Sequence, residues 1–474
     1  MTPAEPLPLL VLGGGIAGLG AADEARRAGV EVVLIERSDG VGGMLRTDRR
    51  DGFSFDRGGH RFITSLSWVQ ERITALLGDR LRVRERRSLV LLDGTTVAYP
   101  LELDDLIRRL GIRSNLRALG SYLAARSRAR RAVRAGQLET NLEEWLERRF
   151  GTYLYRRVFE GYSEKLWGLH PSRISAEWAP ERISVPDLGS FLKQMLWPRR
   201  STPRTWAKRY LYPRTGIGEI VESLGNRVIE EGGEIRLRST VRSLAPLEGG
   251  RWRATIEGEH ETHVLDVRGV VSTIPLDAFC RLIPDSPPIP TLGQRGLRFT
   301  NIAFDQPVPL DATWIYQPDP RSRFSRLQIP AARSPEMVPA GCGSIQLEEP
   351  WDAARGEQAT SQLEERVAEG IAMLRTLGVE LEEPRFAFTT AEPHAYPIYE
   401  GNARALAAQT VSALERKPGI AIAGRQGRFR YCFLDRAFAE GVNGARRLLA
   451  LPPLENEVER TPGDPLPLEA ASIV

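Results

Sequence analysis

Gly13-x-Gly15-x-x-Gly18 follows directly on the apolar run Leu9-Leu10-Val11-Leu12 and opens a stretch of helix-forming residues from Ile16 to Arg27. A buried strand, a tight glycine turn and a helix in that order predict the first unit of a doubly wound sheet. Each glycine has its own task. Gly13 permits the turn, Gly15 lets a pyrophosphate approach the backbone, and Gly18 lets the helix pack closely on the strand. The first turn of the helix offers unpaired N–H groups and a partial positive charge to an anion. After Gly29, the stretch from Glu31 to Glu36 reads as a second strand, and Glu36 can accept hydrogen bonds from ribose hydroxyls. A glycine-rich turn with no ligand would not require the strand, the helix and the acid at these spacings. The pattern therefore predicts a bound dinucleotide.

Which dinucleotide is bound turns on the continuation. Ser38-Asp39-Gly40-Val41-Gly42-Gly43-Met44-Leu45-Arg46-Thr47 resembles the extension found in flavoproteins of the amine oxidase superfamily, which NAD enzymes generally lack. The resemblance implies FAD, with Arg37, Gly43, Met44 and Arg46 in its reach.

At 474 residues the chain can bury two or three domain cores. A formal net charge of only +4 does not amount to a nucleic-acid footprint. One basic stretch, Arg108 to Arg134, reads as a solvated helix face; contact with anionic lipid is the competing reading. Cys280, Cys342 and Cys432 are widely spaced and form no metal or redox motif, which fits a reducing cytoplasm. No apolar run reaches membrane-spanning length, and Met1 to Pro8 shows no secretion signal pattern. His260 and His263 have no further ligands nearby, so no metal site is expected.

The dinucleotide-binding domain is expected in three pieces, 1–80, 210–275 and 416–451. Ile217 to Val241 reads as helix, turn and strand, and Val241 is assigned to the cofactor site. Trp252–Glu257 and His263–Val267 alternate as a hairpin would. Gly269–Pro275 and Gly419–Gly424 read as further buried strands, and Asp435–Leu449 as a helix. Ligands collect at the carboxyl ends of such strands, which puts Gly424 and its successors toward the cofactor. Two insertions separate the pieces: 81–209, mostly helical, and 276–415, mixing strands with a helix near Gln362–Leu377. The tail, 452–474, is rich in proline and acid and reads as disordered.

Across nearly the whole chain, further motifs resemble the UDP-galactopyranose mutases, especially their eukaryotic-type branch, and bacterial relatives of protoporphyrinogen oxidase type. Asp51-Gly52-Phe53-Ser54-Phe55-Asp56-Arg57-Gly58-Gly59-His60 matches the segment that brings a Gly-Gly-His loop against the flavin. The stretch from Leu92-Asp93-Gly94 to Tyr99-Pro100, then Glu144-Trp145, Tyr162–Trp167 and Trp178–Arg182, follow in the same order. Trp314-Ile315-Tyr316, Phe324-Ser325-Arg326, Tyr396-Pro397, Gly424-Arg425 and Arg430-Tyr431 complete the match. The implied architecture is α/β: a Rossmann-like FAD-binding domain of amine-oxidase type with an inserted helical and mixed α+β substrate domain.

The resemblance also implies roles. Arg182 and Arg326 would clamp a diphosphate, a task suited to the planar fork of guanidinium donors. Tyr316, Tyr396 and Tyr431 would line the substrate. Gly59 and His60 would lie on a loop responsive to flavin redox state, Arg425 near the flavin or sugar, and Asp435 where a helix N-terminus meets the flavin. A solvated arginine, a satisfied core tyrosine and a turn-capping histidine are the bland alternatives. One departure stands out. After Tyr431 the mutases carry a polar run with an amide, whereas this chain reads Cys432-Phe433-Leu434-Asp435-Arg436. The implied reaction is rearrangement of a nucleotide-diphosphate sugar by covalent catalysis at N5 of reduced flavin. The alternative is an FAD-dependent oxidase or dehydrogenase of protoporphyrinogen- or amine-oxidase type. An external reductant such as NAD(P)H fits the first reading. No nucleic-acid partner is expected, and the sequence leaves open whether the chain forms a homo-oligomer.

Overall fold

A computed structural model describes residues 7–92, 94–99, 103–134, 136, 139–177, 209–352 and 362–454. Its first organising element is a five-stranded sheet in the order Ile420–Ile422, Gly269–Ser272, Leu9–Leu12, Val32–Ile35, Glu234–Arg236. All its pairings are parallel, with Leu9 beside both Gly269 and Val32. Apolar strands fully buried on both faces demand this arrangement, because helices must cover each side. Strand carboxyl ends from four separate chain segments thereby converge at Gly13, Glu36, Thr273 and Gly424.

The helix Ile16–Arg27 packs against the helix Leu434–Leu448 at very short range. A Cβ on Gly441 would lie 1.8 Å from the Ala17 carbonyl oxygen, and one on Gly20 would lie 2.8 Å from the Phe438 ring. The C-terminal helix is thus held to the glycine-turn helix by backbone proximity, a constraint that strand and helix periodicity alone do not reveal.

A second, seven-stranded sheet is ordered Phe386–Pro397, Gln294–Phe304, Gly343–Trp351, Arg326–Gln328, Trp314–Tyr316, Ser88–Leu92, Thr95–Tyr99. The last two strands come from the stretch 81–209, and Ser88–Leu92 pairs in parallel with Trp314–Tyr316. Pairing therefore joins both insertions into one sheet. Helices in 81–209 include Leu103–Arg134, Leu142–Leu154 and Gly161–Trp167. The hairpin expected at Trp252–Val267 is present as Trp252–Glu257 and Thr262–Val267. The expected strand from Glu234 stops at Arg236, because Arg238 takes a left-handed backbone (φ 49°) that redirects the chain past Glu36.

The basic helix Leu103–Arg134 buries Ala118, Tyr122 and Ala125 and exposes Leu116, Leu119 and Leu123. Among the described residues no helix is long and apolar enough to cross a membrane. The tail beyond 454 lies outside the described residues. His263 Nε2 lies 2.9 Å from the Glu261 carboxylate, and the one group of three possible metal ligands among the described residues is instead His170 with Glu143 and Glu160, their ligand atoms within 4.8 Å. All three are partly exposed, and His170 Nδ1 already engages Ser172.

Candidate active site

Gly13, with φ +95°, turns the chain out of the central strand, and its N–H donates to the Ile35 carbonyl at 2.9 Å. A Cβ on Gly18 would lie 1.8 Å from the Gly13 carbonyl oxygen, whereas a Cβ on Gly15 would meet nothing within 4 Å. Gly18 is closed by the protein itself, and Gly15 borders open space. The helix that follows has no side-chain cap and no acid in its first turn, so its first N–H groups are left for an anion.

Glu36 receives the Gly14 N–H at 2.7 Å on Oε2, and the Ser38 N–H (2.8 Å) and hydroxyl (2.6 Å) on Oε1. Each carboxylate oxygen offers two lone-pair sites, so Oε2 keeps one for a ribose hydroxyl. The Gly42 N–H donates to the Gly14 carbonyl at 2.8 Å, laying Gly43 (φ +53°) and Met44 beside the turn. Arg46 is fixed by an ion pair to Asp39 at 2.8 Å, and Arg37 is exposed at the rim. Val241 is buried two residues beyond Ser239, whose N–H reaches the Glu36 carbonyl at 3.0 Å. Gly424 has φ +79° and leaves room for a Cβ only 2.9 Å from Ala17. Asp435 is fully buried in the first turn of its helix. The donors and the open edge at Gly15 suit the pyrophosphate of an adenine dinucleotide, and the acid suits a ribose hydroxyl.

The loop Gly58-Gly59-His60 runs from this cradle toward the seven-stranded sheet. Gly58 needs its glycine, with φ +117°, and a Cβ on Gly59 would lie 2.7 Å from Arg326 Nη1. Arg326 therefore lies directly beneath the loop. It is the cross-strand partner of Glu348, and their side chains form a buried ion pair. Burial works against the charge on Arg326, but Glu348 outweighs it and holds the guanidinium firmly protonated.

His60 donates from Nε2 to the Arg57 carbonyl at 3.1 Å, since a carbonyl can only accept. Nδ1 is then the free acceptor of the neutral ring. Burial, then the charges of Arg425 and Arg326, push its pKa down to about 4. Neutral His60 at pH 7 can accept a proton or a hydrogen bond but supplies no positive charge. The linkage has a definite sign. The unfolded imidazole protonates near pH 6.5 and the folded one only near 4, so stability present above 6.5 is lost as pH falls toward 4. We expect a loss on the order of 2–3 kcal/mol across that window, after allowing for solvent at the ring edge. His60→Asn should flatten that limb of a plot of urea midpoint against pH; an unchanged slope would show that His60 does not titrate this way.

A second ring of residues faces the loop. Arg425 donates to the carbonyls of Ala395 (3.0 Å) and Cys432 (2.7 Å) and sits 4.7 Å from the Tyr431 ring and 5.7 Å from the Tyr396 ring. Tyr396 packs at 5.9 Å against Trp167, and Tyr431 at 6.1 Å against Tyr396. Tyr316 lies 4.9 Å from Tyr99 and 5.8 Å from the Arg326 guanidinium. The structure thus gathers His60, Arg326, Arg425, Tyr316, Tyr396 and Tyr431 around one cleft. Arg182 lies outside the described residues. Phe433, which stands where the mutases have polar groups, is part-exposed and packs its ring at 5.6 Å against Tyr431.

Other residues at the site were assigned no role from the sequence. Arg333 is fully buried, ion-paired to fully buried Asp56 at 3.0 Å, and its Nη1 also reaches the Gly58 carbonyl at 3.4 Å. Asp56 accepts further from Thr47 at 2.7 Å, from the Ile217 N–H at 3.0 Å and from the Tyr212 hydroxyl. Lys165 donates to the carbonyls of Gln317, Asp319 and Phe324, tying the helix Gly161–Trp167 to the loop before Arg326. Arg61 follows His60 and rests 4.6 Å from the Trp314 ring, which also lies 5.6 Å from Arg326. An arginine beside a Gly-Gly-His loop was the available signal for Arg61, but arginines are too frequent here for it to stand out.

Comparison with known proteins identifies the family and the fold. The sequence profile of the flavin-containing amine oxidoreductases matches residues 16–449. Reduced UDP-galactopyranose mutase superposes with a TM-score of 0.77 at 20% identity, over 94% of this chain and 96% of that one. A structure from Exiguobacterium, provisionally assigned as a protoporphyrinogen oxidase, gives 0.70 at 21% identity, over 94% and 99%. Chloroplastic protoporphyrinogen oxidase of Nicotiana tabacum is 24% identical over 58% of this chain and 52% of its own length. The chain spans about half the length, or less, of the curated relatives it matches.

Proposed function

This chain belongs to the flavin-containing amine oxidoreductase family, and from that premise we propose that it is an FAD-dependent enzyme that rearranges a nucleotide-diphosphate sugar, in the manner of a UDP-galactopyranose mutase. That it is a flavoprotein, with FAD as cofactor and an amine-oxidase-type fold, follows from the family itself. The finer reading rests on one observation: Arg326 and Arg425 come together with Tyr316, Tyr396 and Tyr431 at the Gly-Gly-His loop. An amine, a carotenoid or a porphyrinogen core would call for an apolar cavity there. A diphosphate calls for guanidinium and phenol donors.

Reduced FAD, when bound, supplies the nucleophilic N5 and the electrons for such chemistry. The chain supplies position and charge. Arg326 and, in this reading, Arg182 stabilise the departing diphosphate, where negative charge builds. Tyr316, Tyr396 and Tyr431 fix its orientation through their hydroxyls. His60, neutral and with Nδ1 available, would accept a hydrogen bond from a sugar hydroxyl. The aromatic contacts Tyr99–Tyr316, Tyr162–Tyr316 and Trp167–Tyr396 would help exclude water from the reacting carbon.

Phe433 favours a second reading. A part-exposed ring in place of an amide removes a donor for the sugar and makes that wall more apolar. The second reading is net oxidation of an anionic substrate. The two separate by product. Dithionite-reduced holoprotein offered UDP-hexoses should yield isomerised sugar with no net electron transfer. Peroxide or reduced acceptor from an oxidisable substrate, with no isomerisation, would replace the mutase reading by the oxidoreductase one.

A further inference from the structure

We infer that Arg61 is the cation that takes up the charge of the ligand's phosphate in this cleft, an inference that rests on the nucleotide-diphosphate reading and identifies the residue that makes it electrostatically workable. The other arginines at the loop are already committed. Arg326 faces Glu348 across the strand pair in a buried ion pair, so the two together bring almost no net charge. Arg425 directs one guanidinium nitrogen to the Ala395 carbonyl and the other to the Cys432 carbonyl. Arg333 belongs to Asp56. A diphosphate entering between Arg326 and Arg425 would meet positioned donors but little uncompensated positive charge.

Arg61 is different in having no carboxylate paired with it among the described residues. Its Nη1 is buried with no hydrogen-bond partner there, as are the Nε atoms of Arg326 and Arg333, whose charges Glu348 and Asp56 already balance. Its surroundings are the Trp314 ring at 4.6 Å, the Tyr210 ring at 6.0 Å, and a second cation, Arg86, which lies 5.0 Å from the Tyr99 ring. Burial and Arg86 push its pKa down to about 10, as expected where a cation lacks a counter-ion. Aromatic faces offset part of the desolvation of a guanidinium but do not neutralise it. Trp314 lies near both Arg61 and Arg326, and Tyr316 neighbours both as well, so the two cations share aromatic surroundings. A buried cation with an open donor beside a paired one suits an anionic group that arrives with the ligand.

The test uses the yellow holoprotein, with Arg61→Met and Arg61→Lys, and two probes, inorganic pyrophosphate and UDP. In wild type, pyrophosphate and UDP should each raise the melting temperature. Arg61→Met should weaken both by roughly tenfold to a hundredfold, and Arg61→Lys should restore part of the loss. Without probe, Arg61→Met should melt at or above wild type, because an uncompensated cation has been removed; a merely structural cation–π contact would make it melt lower. Wild-type affinity for both probes in Arg61→Met overturns the inference and leaves the nucleotide-diphosphate reading standing. Arg61-dependent pyrophosphate binding with no response to UDP keeps the anion site and removes the nucleotide-sugar substrate. A wild type indifferent to both probes removes both.

Discussion

Gly18→Ala is expected to yield a chain that neither folds stably nor retains flavin, while Gly15→Ala yields a folded chain that has lost most of its flavin. The two glycines lie three residues apart in one turn but face different surroundings. A Cβ on Gly18 would sit 1.8 Å from the Gly13 carbonyl oxygen, with Val11 at 3.3 Å behind it. The Gly13 carbonyl cannot yield without parting helix from strand. Overpacking of this severity costs at least ~3 kcal/mol. The strained contact lies between Ile16–Arg27 and the central strand, and the same helix also carries Leu434–Leu448, so the loss spreads through the sheet. On Gly15 a Cβ meets no protein atom within 4 Å. It occupies space next to the free N–H groups, where the pyrophosphate approaches. Flavin absorbance and a circular dichroism melt on the purified variants separate the cases. Equal melting temperatures for the two variants would contradict the assignment of an internal role to Gly18 and an external one to Gly15.

Arg333→Met should be the most damaging single change outside the glycine turn. Both partners of the Arg333–Asp56 pair are fully buried, and breaking a buried pair from one side strands the other charge, at a cost of about 3–5 kcal/mol. Asp56 keeps its hydrogen bonds from Thr47, Ile217 and Tyr212, but these neutral donors do not balance its charge. Gly58 also loses a hydrogen bond to its carbonyl, so the Gly-Gly-His loop loosens along with the core. The double variant Asp56→Asn/Arg333→Met should regain a substantial part of the loss, because no unpaired charge remains. Urea midpoints of the two single variants and the double variant give the coupling. A double variant as unstable as the sum of the singles would contradict it.

What the sequence made legible was local. The glycine spacing, the apolar strand before it and the acid after it are near neighbours in the chain, and each states its geometry through a physical requirement. The strands Gly269–Ser272 and Ile420–Ile422 were legible for the same reason, as short apolar runs ended by turn residues. The pairs that define the cleft were not. Arg326 and Glu348 are brought opposite each other by strand register, and Asp56 and Arg333 are 277 positions apart. Arginine is so common in this chain that type alone could not separate Arg61, with its open donor, from the solvated ones. Nothing in the sequence signals the close approach of Gly441 to Ala17. Motif resemblance singled out Arg326, Tyr396 and Tyr431, but not the Glu348 partner that changes what Arg326 can do.

The central claim is that FAD lies along the glycine turn and presents its ring to a cationic cleft fitted to a nucleoside diphosphate. Titration of dithionite-reduced holoprotein with UDP, followed through the flavin absorbance, tests it most directly. The account predicts a saturable spectral change that weakens as salt is raised and shrinks in Arg326→Met. A yellow protein whose reduced flavin is indifferent to UDP at every concentration, while the fold and the flavin remain intact, would contradict it.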